Sequence, residues 1–467
     1  MMLRILKQYY PIRNIFFVIG EGLVIYSSVM LACLIVFGPE SFVSRWLWLK
    51  ILLITVICQS CLYFNELYDL SVIDSFLELS LRLLQSLGFA AIILAGIYFI
   101  IPAAIIGRGV FIVSIAFVIL LIVSWRFLYK LVLDRGFFNQ KIILIGSGDL
   151  ALNIYNEITT IKDCGYTISV IVTENNNEDN TFKEKINTDI IYINNYEGLC
   201  DMARDMGIKK IVVALQEKRG GSFPTEELLR CRVDGIEVIE GNSFHEMLTG
   251  KLIVEYINPG WLIFSEGFEK SRVRRFIKYA LDLILSIILL VIFLPVIIIT
   301  AVLIKIDSRG QVFFSQERVG KDKKLYKIYK FRSMATDAEK QSGPTWADEN
   351  DNRITRIGKF IRKWRIDEIP QLWNVLKGDM SFVGPRPERD FFVKKLEGII
   401  PYYRERFTVK PGISGWAQVS YGYGASVKDA VEKLNYDLFY IKNLSTLMDL
   451  MIILRTVKTV LFGKGAR

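Results

Sequence analysis

Long apolar runs constrain this chain more than any other feature of its sequence. Four of them occupy about residues 15–37, 46–64, 81–102 and 109–133, and each is close to the roughly 20 residues that a helix needs to cross a bilayer. Basic residues precede the first run and follow the fourth, which favours the cytoplasmic side for both ends. The pattern predicts a four-helix transmembrane region over residues 1–135.

Two polar features interrupt these runs. Glu21 lies in the first run near its cytoplasmic end, where we expect the carboxylate to reach the membrane interface; a functional intramembrane carboxylate is the alternative. Cys58 and Cys61 form a C-x-x-C pair inside the second run, and we expect both to be small packing residues. Six cysteines in 467 residues do not make a disulfide scaffold.

The middle of the chain has the pattern of an α/β domain. Residues 141–158 (KIILIGSGDLALNIYNEI) have the pattern of a strand, a glycine turn and a helix, and further β-branched segments follow. Such a βαβ series predicts a Rossmann-like domain with a parallel sheet over residues 136–265.

The glycine turn of this domain leaves two roles open. Gly146, Gly148 and Ala151 form a G-x-G-x-x-A variant of the dinucleotide-binding fingerprint, and Glu174 lies near the position of a ribose-binding acid. Asp149 counts against a nucleotide, because it would put a negative charge beside the phosphate. The favoured alternative is a degenerate fold used for packing or subunit contact.

A fifth apolar run, over residues 279–306, differs from the first four. Pro295 lies near its middle, and proline breaks or kinks a helix. Basic residues flank both ends, which suits a re-entrant helix over residues 276–306 that returns to the face it entered; an ordinary fifth crossing is the alternative. If the following residues use a nucleotide, the re-entrant form is required, because a fifth crossing would place them outside the cytoplasm.

Charge and histidine content narrow the chemistry. The net charge of +10 divides into +3 for residues 1–140, −9 for residues 141–269 and +16 for residues 270–467. The single histidine, His245, counts against zinc and haem sites and is expected to be an ordinary satisfied or exposed side chain. Residues 270–467 contain neither histidine nor cysteine, so carboxylates, arginines and lysines are the side chains available for catalysis in this part of the chain.

One segment of the C-terminal part supplies basic side chains. The residues VFFSQERVGKDKKLYKIYKFRSM (312–334) predict two short strands, at about 312–315 and 325–331, joined by a polar turn. The segment presents three candidate phosphate-binding side chains, Arg318, Lys330 and Arg332.

A second segment supplies carboxylates. The residues RKWRIDEIPQLWNVLKGDMSFVGPRPE (362–388) hold the adjacent acids Asp367 and Glu368 close to Arg365, and a proline on either side restrains Arg386. Carboxylates can bind Mg²⁺ or attack phosphorus while basic residues neutralise phosphate oxygens, so the set suits phosphoryl transfer. An acidic helix start is the alternative.

The motifs KFRSM, DEIPQLWNVLKGDMSFVGPRPE and KPGISGWAQV occur here in order. In type and spacing, residues of about 270–467 resemble the monotopic polyprenyl-phosphate phosphoglycosyl transferases, which are bacterial sugar transferases that start exopolysaccharide and O-antigen repeat units. The preceding membrane helices and nucleotide-fold domain are similar to the large membrane form of this family. Residues 421–443 look most like the exopolysaccharide-system branch.

The resemblance implies an α/β monotopic catalytic domain over residues 270–467 that moves a sugar-1-phosphate from a UDP-sugar to undecaprenyl phosphate and releases UMP. Asp367 would form a phosphoglycosyl-aspartate, and Glu368 would hold Mg²⁺. The substrate-binding residues would be Arg318, Lys330, Arg332, Arg365 and Arg386. The protein would lie in the bacterial inner membrane with its soluble domains facing the cytoplasm.

Other functions and partners follow from the same residues. A membrane-bound nucleotide sensor or scaffold with an inactive transferase domain is the alternative function. An oxidoreductase is disfavoured, because the middle domain lacks a Tyr-x-x-x-Lys pair. The lipid bilayer is an expected partner and nucleic acid is not, while a homodimer through the middle domain stays open. Residues 445–463 predict an interfacial amphipathic helix, with a plain core helix as the alternative.

Overall fold

A computed structural model gives the fold. It describes residues 2–5, 8–39, 46–68, 76–107, 109–134, 139–161, 164–173, 186, 188–192, 196–215, 223–257, 271–335, 353–422, 424 and 426–461. Glu174 lies outside these ranges. The chain forms two compact units, Met1–Ile5 with Tyr9–Gly241 and Leu6–Gln8 with Asn242–Arg467. Two short strands near the N-terminus pair with each other, β1 (Met2–Ile5) and β2 (Gln8–Pro11).

Four long apolar helices open the first unit. They are α1 (Ile12–Phe37), α2 (Leu47–Phe64), α3 (Phe76–Ile100) and α4 (Val110–Asp134). Each is long and apolar enough to cross a membrane. Their outward side chains are apolar and exposed, for example Leu23 at 65% and Ile112 at 74%, as lipid-facing side chains would be. The apolar helices are confirmed and indicate a membrane protein, while the count of four crossings stays a prediction.

The interior of this helical bundle is packed with apolar side chains. Ile25, Leu62 and Ile122 are fully buried and form one cluster with Cys58 and Cys61. Both cysteines therefore act as small packing residues, as predicted.

The prediction for Glu21 is wrong. Its side chain is fully buried, and its Oε1 accepts a hydrogen bond of 2.8 Å from Nε of Arg126, with Nη2 of the same guanidinium 2.7 Å away. The third guanidinium nitrogen, Nη1 of Arg126, donates to the carbonyl oxygen of Leu67 at 3.0 Å. A carboxylate in an apolar bundle needs such a partner, and α4 supplies one before the side chain reaches the interface.

A five-stranded parallel sheet completes the first unit, in the order β5-β4-β3-β6-β7. Its strands are β3 (Gln140–Ile145), β4 (Tyr166–Thr173), β5 (Ile190–Tyr192), β6 (Lys210–Val213) and β7 (Glu237–Glu240). The helices between them are α5 (Asp149–Thr160), α6 (Leu199–Asp205) and α7 (Thr225–Val233). The predicted parallel α/β region is confirmed, and a nucleotide ligand for it stays a prediction.

Gly146 and Gly148 differ in what they do in this sheet. Gly146 has φ of +117°, and a Cβ there would lie 2.8 Å from the carbonyl oxygen of Ala214, just past the end of β6. Gly148 has φ of −82°, which any residue adopts, and precedes α5. The close turn against the neighbouring strand therefore accounts for Gly146 without a bound phosphate.

We expect Gly146→Ala to destabilise the sheet by about 1–3 kcal/mol, because the side chain meets both a left-handed φ and a backbone oxygen. Gly148→Ala, the matched control, should change the unfolding temperature little. Thermal unfolding of the full chain in detergent measures both. Equal tolerance of the two substitutions would contradict the packing role of Gly146.

The second unit contains the remaining elements. Its helices are α8 (Gly241–Thr249, whose first residue still belongs to the first unit), α9 (Arg272–Asp307), α10 (Arg356–Lys363), α11 (Gln371–Lys377), α12 (Asp390–Glu397), α13 (Trp416–Ser420), α14 (Val427–Lys442) and α15 (Thr446–Leu461). Its strands are β8 (Phe313–Val319) and β9 (Leu325–Phe331), which are antiparallel, and β10 (Ser381–Val383) and β11 (Gly412–Ser414), which are parallel.

The predicted end of the middle domain at residue 265 stays a prediction. Residues 242–257, which that prediction assigns to the middle domain, lie in the second compact unit. The indole N–H of Trp416 donates to the carbonyl oxygen of Gly250 at 2.8 Å, and the amide of Leu252 donates to that of Asn435 at 3.1 Å. Contacts to residues far along the chain, rather than sequence order, therefore set the boundary. His245, in the same stretch, is buried beside Thr249 and is an ordinary satisfied histidine, as predicted.

The long helix α9 has helical residues on both sides of Pro295 without a gap, so the helix is not broken there, whereas the predicted bend at this proline stays a prediction. Its 36 residues give a length of about 54 Å along the helix axis. One missing hydrogen bond leaves the rest of the ladder intact in an apolar helix. Its buried residues share one face near the two ends, Asp282, Ser286, Thr300 and Ile304. The return of this helix to one membrane face stays a prediction.

The last helix, α15, has two different apolar faces. Met448 and Ile452 are buried in the core of the second unit. Leu450 and Leu454 are exposed. The helix is thus part of the core on one side, and a role at the membrane interface for the other side stays a prediction.

Candidate active site

The antiparallel hairpin of β8 and β9 forms one wall of the site. Phe314 pairs with Lys330 and Gln316 with Ile328 in the register of the two strands. Side chains alternate between the two faces of a strand, so these residues and Arg318 share one face. That face lines a cavity of about 440 Å³. The hairpin was predicted, although β8 extends four residues beyond the predicted end at 315.

Asn374 joins helix α11 to this hairpin. It is fully buried, its Oδ1 accepts the amide of Tyr329 at 3.0 Å, and its Nδ2 donates to the carbonyl oxygen of Lys327 at 2.7 Å. The side chain thus satisfies backbone groups of β9 that a neighbouring strand would otherwise bind. Because the acidic pair directly precedes α11, Asn374 fixes the distance between those acids and Lys330. Sequence analysis did not single it out, although it lies inside the second segment.

The acidic pair lies on a short 3₁₀ turn, Ile366–Glu368, that begins after an unusual backbone conformation. Arg365 has φ of +53° and ψ of 23°, which is left-handed and uncommon for a residue with a side chain. The turn buries both acids, with Asp367 7% and Glu368 9% exposed. They are therefore not the solvated acidic helix start that was the alternative.

Glu368 is held by cations on three sides. Its Oε1 lies 2.8 Å from Nζ of Lys330 and 3.3 Å from Nη2 of Arg386, and its Oε2 lies 3.9 Å from Nη1 of Arg365. Burial alone would raise the pKa of Glu368, but the three positive charges outweigh it and hold the pKa well below its usual range. Glu368 is thus ionised at any physiological pH.

Asp367 is in a different environment from its neighbour. Among the residues that the structure describes, no basic nitrogen lies within ion-pair distance of its carboxylate. Burial raises the pKa of Asp367 above its ordinary value, and the charge of Glu368 adds to this, while Lys330 and Arg362 oppose it. An unpaired carboxylate with a raised pKa is more basic and more nucleophilic than its neighbour.

The Pro-Arg-Pro segment is held through its backbone. The carbonyl oxygen of Pro385 accepts from the amide of Gly412 at 3.0 Å, that of Arg386 from Arg406 at 3.1 Å, and that of Pro387 from Arg318 at 3.2 Å. β10 and β11 meet here so closely that a Cβ on Gly412 would overlap the backbone of the preceding segment. The position of Arg386 beside Glu368 therefore depends on these backbone contacts as well as on the two flanking prolines.

Arg406 supplies one of those hydrogen bonds from a buried ion pair. Its Nη2 lies 2.9 Å from Oδ2 of Asp437 on α14, and its Nη1 donates to the hydroxyl of Tyr403 at 2.6 Å. Arg406 and Asp437 are 6% and 2% exposed. Burial raises the pKa of Asp437 to about 6 even with this partner present. The sequence offered no signal for this pair, because the two residues are 31 positions apart.

The cavity brings most of the predicted site residues together. Asp367, Glu368, Lys330, Arg318 and Arg386 all line it. Among the residues that the structure describes, nine basic and three acidic side chains line it, which favours a ligand with several negative charges. Sequence analysis missed four of the lining arginines, Arg353, Arg362, Arg389 and Arg406. Arg365 was predicted to bind substrate, but it does not line the cavity and contacts Glu368 instead.

Arg318 and Arg332 are less open to a ligand than predicted. Arg332 lines the cavity, but its guanidinium donates to the carbonyl oxygens of Ser308 at 2.8 Å and Arg309 at 3.0 Å. It closes the C-terminal end of α9, where carbonyl groups lack helical partners. The guanidinium of Arg318 donates to the carbonyl oxygen of Pro387 at 3.2 Å and to Oε1 of Gln316 at 2.8 Å. Burial lowers the pKa of Arg318, Glu388 opposes that shift and Arg386 adds to it.

The donor set fits a metal ion shared with a substrate rather than one held by protein alone. Among the described residues, no group of three or more Asp, Glu, His or Cys is arranged to hold a metal ion. Mg²⁺ commonly uses one or two carboxylates together with substrate phosphates and water. The two shorter ion pairs of Glu368 both use Oε1, so its other oxygen, Oε2, could supply such a ligand.

These features describe a protein with apolar helices typical of membrane proteins, whose second unit carries a buried acidic pair in a cationic cavity. A model described as bacterial sugar transferase matches residues 273–463, and one described as a CoA-binding domain matches residues 63–221. The first match contains the whole cavity. The second contains part of the helical region and most of the parallel sheet.

Relatives extend the comparison. An undecaprenyl-phosphate N-acetylgalactosaminephosphotransferase that uses UDP-N-acetylgalactosamine, from Aeromonas hydrophila, is 45% identical over 240 residues, 51% of this chain and 56% of the relative. An undecaprenyl-phosphate glucose phosphotransferase of Komagataeibacter xylinus is 31% identical over 333 residues, 70% of this chain and 60% of the relative. An exopolysaccharide production protein of Rhizobium leguminosarum bv. phaseoli is 42% identical over 195 residues, 40% of this chain and 98% of the relative.

The chain belongs to the bacterial sugar transferase family. Its matches cover between half and two thirds of the length of the first two relatives. The resemblance inferred from the motifs of the two C-terminal segments is therefore confirmed.

Proposed function

We propose that this protein transfers a sugar-1-phosphate from a UDP-sugar to undecaprenyl phosphate and releases UMP. The observation that carries the proposal is the contrast between the two adjacent acids. Glu368 forms ion pairs with three basic side chains. Asp367 is buried, has no ion-pair partner among the described residues and has a raised pKa. One acid is thus suited to attack and the other to organise charge.

The reaction would proceed in two displacements on one phosphorus. A carboxylate oxygen of Asp367 attacks the sugar-bearing phosphorus, the bond from that phosphorus to the bridging oxygen breaks, and UMP leaves with the electron pair. An oxygen of undecaprenyl phosphate then attacks the same phosphorus and displaces the Asp367 carboxylate. Arg386 and Lys330 lie beside Glu368 and can neutralise the phosphate oxygens in both steps.

Mg²⁺ would be held by Glu368 and the diphosphate, and when bound it would supply charge neutralisation for the leaving phosphate. Lys330 and Arg386 now occupy the other oxygen of Glu368. These two ion pairs could remain when the ion binds, because Oε2 of Glu368 would be its ligand. Binding of Mg²⁺ would therefore not require the ion pair between Glu368 and Lys330 to break.

The assay that tests the proposal uses purified full chain in nanodiscs with undecaprenyl phosphate and a panel of UDP-sugars. The panel should include N-acetylgalactosamine, glucose and galactose, the sugars in the names of relatives. We expect continuous UMP release with one of them when the lipid is present, and no more than about one UMP per protein without it, because the first displacement does not need the lipid. Binding of UDP-sugars without UMP release would favour the sensor or scaffold instead. The comparisons do not favour that alternative, since the relatives are named as transferases.

The same mechanism gives the rate a defined pH dependence. Only ionised Asp367 can attack, so kcat should rise as the pH increases through its raised pKa and fall below it. Arg362→Gln removes a charge that favours the carboxylate, and we expect the acid limb of kcat to move to higher pH. Lys359→Gln, on the same helix but not among the charges that act on Asp367, is the control. An acid limb that moves down in Arg362→Gln would exclude Asp367 as the group observed.

We propose that α9 enters the bilayer and returns, with the second unit at one membrane face. Both ends of the helix contact that unit. Near the start, Nζ of Lys278 lies 2.8 Å from Asp449 and the amide of Phe382 donates to Asp282. At the other end, Asp307 accepts from the amide of Ile357 at 3.3 Å. The apolar middle is exposed, which suits contact with lipid.

Cysteine labelling tests this topology. The six native cysteines are buried. Ser271→Cys and Lys305→Cys place thiols at exposed positions flanking the apolar stretch. In intact vesicles of known orientation, an impermeant maleimide should label both positions from the same side. Labelling from opposite sides would mean a fifth crossing and would put the cavity and the N-terminal end of α9 on different faces.

We further propose that the protein lies in the bacterial inner membrane with its cavity at the cytoplasmic face. Support comes from the five apolar helices and from the need for a nucleotide-linked substrate. For the parallel sheet we keep the packing role. Its strand order is that of the first five strands of the six-stranded dinucleotide-binding fold, but a close backbone approach already explains Gly146. A homodimer through this sheet remains part of the proposal.

A further inference from the structure

A short stretch that precedes α9 packs on the catalytic fold although it lies outside the family match. This stretch, residues 242–257, is called the connector below. The match to the bacterial sugar transferase model begins at residue 273. The connector nevertheless belongs to the second compact unit. The family match therefore assigns no role to the connector.

The backbone of the connector is hydrogen bonded to helix α14. The amide of Leu252 donates to the carbonyl oxygen of Asn435 at 3.1 Å, and the amide of Val254 donates to Oδ1 of the same residue at 3.0 Å. Asn435 is 4% exposed and in turn donates to Glu432 at 3.0 Å. A buried side chain that satisfies connector amides holds the two segments in one register.

Two ion pairs reinforce this contact at either end of α14. Lys251 lies 2.8 Å from Glu432. Glu246 lies 2.6 Å from Lys442 and accepts from the side chain of Asn443 at 2.9 Å. Glu246 and Lys442 are each 7% exposed, so this pair is shielded from solvent and from salt.

The other side of α14 faces the cavity. Ala430 and Lys433 line it, and one turn further Asp437 binds Arg406 at 2.9 Å. Arg406 donates to the carbonyl oxygen of Arg386 at 3.1 Å, and Arg386 lies 3.3 Å from Glu368. Direct contacts thus link the connector to α14, α14 to Arg406, Arg406 to Arg386 and Arg386 to Glu368.

We propose that the connector is a positioning element of the transferase. It holds α14 in place, and α14 sets the position of Arg386 through Asp437 and Arg406. Glu246 is the positioning residue of this arrangement, since its buried carboxylate binds two side chains at the C-terminal end of α14. The consequence for turnover rests on the proposed function, but the placement of Arg386 can be measured without any substrate.

Hydrogen exchange of the full chain in nanodiscs is the direct test. Glu246→Gln weakens the contact with Lys442, and Glu255→Gln, at an exposed position of the same connector, is the matched control. We expect amides of α14 and of residues 384–389 to exchange at least about tenfold faster in Glu246→Gln, which corresponds to about 1.4 kcal/mol in the opening equilibrium. The control should exchange like the parent protein.

Steady-state kinetics provide a second readout that general loosening would not reproduce. Arg386 lies 3.3 Å from Glu368, so Glu246→Gln should lower kcat in the parent protein but change it little in the Arg386→Lys background, where the group that it positions is already altered. If Glu246→Gln does not fold, the double variant Glu246→Gln, Lys442→Gln avoids an unpaired buried lysine and should show both effects.

Two results would overturn the inference. One is faster exchange in α14 with unchanged exchange at residues 384–389 and an equal loss of kcat in the parent and Arg386→Lys backgrounds. The other is no change in α14 itself. A parent protein that releases no UMP would refute the proposed function, while the exchange result would still decide whether the connector positions Arg386.

Discussion

Asp367→Asn should abolish sugar-phosphate transfer, with a loss of about 10³-fold or more in UMP release. The amide keeps the size of the side chain but cannot displace UMP, so the first displacement is lost and not merely slowed. Transfer of a radiolabelled sugar phosphate to lipid measures the effect. With the parent protein and no lipid, label should stay on the protein, and it should be absent from the variant.

Asp390→Asn is the matched control for this substitution. Asp390 begins α12 and forms a surface ion pair with Lys394 at 2.6 Å, an interaction that contributes about 0–1 kcal/mol. We expect the control to retain parent activity and unfolding temperature. Residual turnover of Asp367→Asn within tenfold of the parent would remove the nucleophile role from Asp367 and leave it as a structural acid.

Arg406→Met should be the most destabilising single substitution at the site. It leaves the carboxylate of Asp437 buried without its partner, which costs about 3–5 kcal/mol of the free energy of unfolding. The double variant Arg406→Met, Asp437→Leu removes both charges and should recover much of that loss. Thermal unfolding in detergent compares the three proteins.

The sign of the pH effect in Arg406→Met sharpens this test. Burial raises the folded-state pKa of Asp437 to about 6, above its unfolded value, and loss of Arg406 raises it further. The folded state then binds a proton more tightly than the unfolded state, so stability increases as the pH falls through the folded pKa. Arg406→Met should therefore lose least stability near pH 5 and most near pH 8. A pH-independent loss would show that packing, not charge, is responsible.

Much of the site could be predicted because its parts are local in sequence. Asp367 and Glu368 are adjacent, and Lys330 and Arg318 follow the two-residue period of the hairpin. Where a residue's partner is distant, prediction failed. Glu21 was expected to reach the interface, but its partner Arg126 is 105 positions away. The phosphate-binding role of Arg332 stays a prediction, although its guanidinium donates to the carbonyl oxygen of Ser308, 24 positions away.

The sequence by itself determined the apolar helices, the parallel α/β region, the hairpin and the identity of the acidic pair, because periodicity, turn chemistry and motif order are properties of neighbouring residues. Only the tertiary structure decided which acid is paired, how Arg386 is held and where the second unit begins. Each of these depends on burial and on contacts between segments far apart in the chain, such as Glu246 with Asn443, which are 197 positions apart. The apolar runs that constrain the chain so strongly place it in a membrane, but they carry no information about those contacts.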